Sequence, residues 1–172
     1  MSETLRRVIL IAASLAILAL ANHAIYSKER LLAEGHVVLL DLAPVDPRSL
    51  MQGDYMALRF KVADDAFGSW GRSYNVQIKD GRIVVKVDAR GVAQFSRMDD
   101  GTALAADEAL MRYRVRAGTV KFATNAFFFQ EGHAKYYQRA RYGEFRVGAD
   151  GDLLLTAMRG EKLERLGPAE SR

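Results

Sequence analysis

With 172 residues, 49% of them hydrophobic and 27% charged, the chain has the size of one domain plus a short extra segment, and it is too apolar to be disordered. A mean hydropathy of -0.10 leaves no room for several membrane spans, and the absence of cysteine removes thiol chemistry, Cys-based zinc sites, iron–sulfur clusters and disulfide scaffolds. The net charge of +4 is mildly basic, well short of a nucleic-acid-binding tail.

Arg6 and Arg7 precede a stretch from Val8 to Ser27 that carries no charged side chain. Val8 to Tyr26 makes about 28 Å of helix at ~1.5 Å per residue, close to the ~30 Å of a bilayer's hydrocarbon core. Residues 8–26 are therefore expected to sit in a lipid bilayer. The arginines place the amino end in the cytoplasm and the remainder on the far side. Val8 to Leu18 followed by Ala19-Leu20-Ala21 also fits a cleaved signal peptide with an A-x-A site. The helical pattern continues without a breaker through Ile25, Tyr26, Leu31, Leu32 and Ala33 to Gly35, which favours a retained anchor.

Beyond Gly35 the periodicity changes to that of strands. HVVLLDL (36–42) is a short apolar run. YMALRF (55–60) alternates, with Met56, Leu58 and Phe60 on one face. DDAFGSWGRS (64–73) reads as a polar loop. YNVQI (74–78) and IVVKV (83–87) read as a hairpin around Asp80-Gly81. GVAQFSRM (91–98), LMRYRVR (110–116), the apolar and aromatic VKFATNAFFF (120–129), GEFRV (143–147) and DLLLTAM (152–158) add further strands, the last two flanking a turn at Gly148-Ala149-Asp150-Gly151. EGHAKYYQRAR (131–141) has helical spacing. The expected fold is α+β: an N-terminal transmembrane helix, then one mainly antiparallel β domain with about one helix. The boundaries are 1–34 for the cytoplasmic amino end, anchor and extension, 35–166 for the exported domain and 167–172 for a tail.

The most specific segment runs from Leu42 to Phe60. Pro44 and Pro47 end the preceding strand, and Asp46 before Pro47 suits a type I turn. Ser49 to Gln52 reads as one helical turn that Gly53 stops. Asp54 shares strand parity with Met56, Leu58 and Phe60, so it points inward and needs a partner, with Arg48 the nearest in sequence. Gly53-Asp54-Tyr55-Met56-Ala57-Leu58-Arg59-Phe60 resembles the signature of the GDYXXLXY family of bacterial membrane-anchored proteins, with Phe60 in place of the last tyrosine. The PVDPRSLMQ lead-in, Gln130-Glu131-Gly132 and Tyr142-Gly143-Glu144-Phe145-Arg146-Val147 extend the likeness over most of the chain. The resemblance implies a membrane-tethered exported domain that accompanies a multi-pass membrane protein, and it implies no activity. Asp46, Pro47, Arg48, Gly53, Asp54, Tyr55, Leu58, Phe60, Glu131 and Gly132 are the motif positions, read as structural.

Catalytic signals are weak. The segment around Asp46 to Asp54 loosely resembles the strand–turn–strand corner of type I signal peptidases, which makes a hydrolase the alternative reading. Pro44 falls at the nucleophile position there, and no base is spaced to activate Ser49. His23, His36 and His133 share no metal-ligand spacing, and Asp150-Gly151-Asp152 lacks the other oxygen ligands of a calcium loop. No catalytic residue, metal or cofactor is assigned. Glu131 suits a helix amino end better than acid–base work. Arg112, Arg114 and Arg116 form a stripe on one strand face, to which Arg139, Arg141 and Arg146 could add. Export makes nucleic acid an improbable partner for it, so an anionic lipid, a ligand or an acidic partner surface is the expected counterpart. The bland reading is a solvated face balanced by Asp99, Asp100, Asp107 and Glu108.

Overall fold

Apolar sequence behind a capping serine builds the first element, α1 (Glu3–Glu34), in which Ser2 Oγ accepts the Leu5 amide at 3.4 Å. The computed structural model describes residues 2–43, 51–52, 55–68, 79–116 and 119–168, with backbone alone at 51–52. An 18-residue window of α1 has a mean hydropathy of 2.3 and none of it is buried, so the helix is long and apolar enough to cross a membrane. Its 32 residues reach about 48 Å, longer than the bilayer core.

The surplus length docks on the β domain. Leu31 is buried, Lys28 Nζ lies 3.5 Å from Asp152, and Arg146 donates to the Gly35 carbonyl at 2.9 Å. Gly35 is the single residue between α1 and β1 (His36–Asp41), and its amide bonds the Leu31 carbonyl at 3.0 Å. Its φ of -62° is open to any residue, so glycine is there for space. A Cβ would stand 2.4 Å from Leu31 O and 3.2 Å from Arg146 Cβ. Gly35→Ala is therefore expected to destabilise the fold by about 1–3 kcal/mol through overpacking, read by thermal melting of the detergent-solubilised chain. An unchanged melting temperature would mean that the junction relaxes freely.

The strands alternate apolar and polar, and one face of each closes on a common core. The main sheet comprises β1, β4 (Gly81–Val87), β5 (Val92–Met98), β6 (Glu108–Arg116), β7 (Thr119–Lys121), β9 (Tyr142–Val147) and β10 (Leu153–Arg159), in the order β10-β9-β1-β5-β4-β6-β7. Its pairs are antiparallel except β1–β5, and β1 lies centrally between β9 and β5. A smaller sheet joins β2 (Met51–Gln52), β3 (Tyr55–Ala57) and β8 (Ala126–Phe128). The large sheet curls until the Arg112 amide of β6 bonds the Gly151 carbonyl in the β9–β10 turn at 2.8 Å. Val38, Leu40, Ile83, Val85, Met111, Phe145, Val147 and Met158 fill the interior, each no more than 2% exposed.

The fold class holds as expected from the sequence, and several local readings are corrected. Residues 64–67, read as part of a polar loop, belong to α2 (Lys61–Phe67), which buries Val62 and sets Phe67 against Tyr113 with ring centres 4.8 Å apart. Two helical turns after an alternating run give too short a periodicity to separate from a strand end. The expected helix at 131–141 is a single turn, α3 (Ala134–Tyr137). Met51 and Gln52, read as helical, pair as strand with Met56 and Tyr55. Gly81, read as a turn residue, opens β4 opposite Tyr113. The run 120–129 divides into β7 and β8 around Ala123, whose φ is 55°. The strand expected at 74–78 lies outside the described residues.

Candidate functional site

The arginine stripe of β6 lines a groove of about 430 Å³ between β6, β7 and β10, closed at one side by Lys28 of α1. Strand alternation produces it: Met111 and Tyr113 point into the core while Arg112, Arg114 and Arg116 stand on the other face. Lys121 of β7 joins them, in register directly opposite Arg114. Five cations thus share the groove with one carboxylate, Asp152, and with Leu154 and Leu155 of β10.

The balancing charges differ from those expected from the sequence. Asp99 pairs with Arg82, Asp107 with Lys86, and Asp100 and Glu108 with Arg97, so none of the four pairs with a stripe arginine. Asp152 instead takes Arg112 at 2.9 Å and Lys28 at 3.5 Å. Asp80 accepts the Val115 amide at 2.7 Å and the Arg116 guanidinium at 3.1 Å. The Val115 N–H, followed by Arg116, holds the Asp80 carboxyl below the usual aspartate range. Arg114 and Lys121 have no carboxylate within ion-pair distance among the described residues, although the Asp80 carboxylate feels the Arg114 charge. Arg141 and Arg146 do not extend the stripe: Arg141 faces Asp41 at 3.5 Å, and Arg146 holds the α1 junction.

The described motif residues lie apart from this groove. Tyr55 packs against Phe128 with ring centres 5.8 Å apart, and Leu58 is buried with its amide on the Asn125 carbonyl at 2.7 Å. Phe60 is buried edge-on against Phe145 and bridges to Leu42, so it ties the motif to the main sheet. Glu131 is exposed three residues before α3, and Gly132 has a φ of +78° in the preceding turn. Asp46, Pro47, Arg48, Gly53 and Asp54, together with Pro44 and Ser49, lie outside the described residues. Among the described residues, no group of three or more His, Asp and Glu side chains is placed to hold a metal ion.

A family model described as "GDYXXLXY protein" matches residues 17–158. The chain belongs to this family. The match begins inside α1 and ends in β10, so it spans the second half of α1, the junction and the sheet. No curated protein and no solved structure matches the chain at a significant level.

One polar cluster at the carboxyl end of the matched region escaped the sequence reading. Glu144 of β9 is buried, 8% exposed, beneath β10. Its carboxylate accepts Arg159 Nε at 2.6 Å and Thr156 Oγ1 at 2.9 Å, and Arg159 also reaches the Leu163 carbonyl at 2.8 Å. The ladder slips between Leu155 and Ala157, and this bulge aims Thr156 at Glu144. Burial pushes the Glu144 carboxyl up, but the Arg159 and Thr156 hydrogen bonds outweigh it and leave the group below the usual glutamate range. The available signal was the pattern Tyr142-Gly143-Glu144-Phe145-Arg146, which puts a carboxylate in the middle of an expected strand; Arg146, its neighbour at the same parity, is bonded to the Gly35 carbonyl instead.

Proposed function

We propose that the chain is a single-pass membrane-anchored protein whose β domain stands on the extracytoplasmic face and acts by association with an integral membrane partner, without catalytic turnover. The observation that carries this reading is the α1 junction. One helix runs from the apolar stretch into the domain, buries Leu31 and passes through Gly35 directly into the central strand β1. A tether joined in this way holds one domain face toward the membrane and raises its effective concentration for a membrane partner. Arg6 and Arg7 ahead of the span favour a cytoplasmic amino end.

Crosslinking in intact membranes is expected to capture a protein of several spans with the full chain and to lose it when a cleavable signal replaces residues 1–26. Equal capture from the untethered form would exclude tethered association. Mass measurement of the membrane-extracted protein is expected to show α1 intact, and a chain beginning at Asn22 would contradict it. Reporters fused after Arg172 should be active outside the cytoplasm, and activity confined to the cytoplasm would reverse the topology.

A further inference from the structure

We propose that the groove between β6, β7 and β10 binds the phosphate-bearing headgroup of an anionic lipid from the leaflet where α1 leaves the bilayer. This assignment rests on reading α1 as an anchor, and it gives the tethered domain its ligand class. Arg114 and Lys121 stand directly opposite each other on paired strands. Like charges in that register repel and destabilise a sheet. Neither has a carboxylate within ion-pair distance among the described residues, and the one acid lining the groove, Asp152, already serves both Arg112 and Lys28. Among the described residues the sheet therefore holds two facing cations with no ion-pair partner in a concave site, which a phosphate diester would neutralise. A guanidinium fork matches two phosphate oxygens, and an ammonium supplies a third point charge.

Size and position choose the source of that phosphate. A groove of about 430 Å³ falls in the roughly 300–1,000 Å³ range of small-molecule sites, which suits a headgroup better than the face of a partner protein. Lys28 closes the groove two residues beyond Tyr26, about 3 Å further along the helix, at the level where headgroups lie. Anionic headgroups attract basic residues near the membrane surface. Leu154 and Leu155 add an apolar wall beside the cations, which suits the glycerol and first acyl carbons of a lipid and would be wasted on inorganic phosphate.

Native mass spectrometry of the full chain in detergent, offered equimolar phosphatidylglycerol and phosphatidylcholine, tests this. The wild type is expected to retain phosphatidylglycerol preferentially. Arg114→Gln combined with Lys121→Gln is expected to weaken that retention about 25-fold, from ~fivefold per lost cation. Both side chains are exposed, so the variant is expected to melt no earlier than wild type. If it does melt early, Lys121→Gln alone, with its ~fivefold loss, decides instead. Unchanged retention in the variant, or equal retention of phosphatidylcholine by the wild type, overturns the proposal. Displacement of the lipid by millimolar inorganic phosphate would reassign the site to the free anion and overturn the lipid as its source. Alkaline carbonate washing of membranes reads the anchor separately. A chain that stays in washed membranes yet shows no headgroup preference overturns the groove alone, whereas a chain that washes out overturns the anchor.

Discussion

Arg159→Ala is expected to destabilise the protein by about 3–5 kcal/mol, the range for leaving one partner of a buried ion pair uncompensated. Glu144 is 8% exposed, and the guanidinium is its only cationic partner within ion-pair distance among the described residues. The loss should appear in urea or thermal unfolding of the full chain. Combining Arg159→Met with Glu144→Leu should cost much less than Arg159→Ala alone, because no buried charge is then left unpaired. A double variant as unstable as the single one would show that packing by the Arg159 stem, and not charge, dominates. The same cluster sets a pH dependence. Because folding depresses the Glu144 pKa, the unfolded chain takes up the proton first on acidification. The stabilisation is complete above the ordinary glutamate pKa and is lost as the pH falls through the lower folded value. Glu144→Gln should flatten that acid limb, whereas a limb as steep as wild type would assign it to other carboxylates.

Phe60→Ala should be as damaging, at about 3–5 kcal/mol for an emptied aromatic site in a packed core. Phe60 is 3% exposed, with its ring centre 5.3 Å from that of Phe145 at an interplanar angle of 73°. It precedes α2, bridges to Leu42 at the end of β1, and lies so close to β9 that a Cβ on Gly143 would stand 3.0 Å from its ring. Removing the ring opens a cavity among three elements. Phe60→Leu keeps much of the volume and should cost roughly 1–2 kcal/mol. If both variants unfold at the wild-type denaturant midpoint, the motif's last aromatic position does not hold the smaller sheet to the larger one.

The parts of the fold that the sequence made legible are those with a long, regular period. The apolar run after Arg7 predicts α1, and the alternation of Met56, Leu58 and Phe60, or of Met111, Tyr113 and Val115, predicts which side chains are buried. The hidden parts depend on neighbours distant in the chain. Val62, Ala66 and Phe67 gain a helical face only because the curled sheet offers them a concave interior. Arg112 to Arg116 are visible as a stripe, but their charge environment is not: Lys28, Lys121 and Asp152 reach the groove from three other segments. Glu144 finds Thr156 and Arg159 across a bulge that no local pattern announces.

The passage from α1 to β1 through Gly35 alone has a mechanical meaning. A joint with one residue in it has no slack. If α1 spans a bilayer and tilts to bury its apolar length, it must swing β1 with it, because β1 is bonded on both sides to the rest of the sheet. The domain's height above the membrane and its heading around the membrane normal are thus functions of the helix angle. Bilayer thickness then becomes a coordinate of the β domain's pose, and a neighbouring span that leans on α1 turns that domain like a hand on a lever.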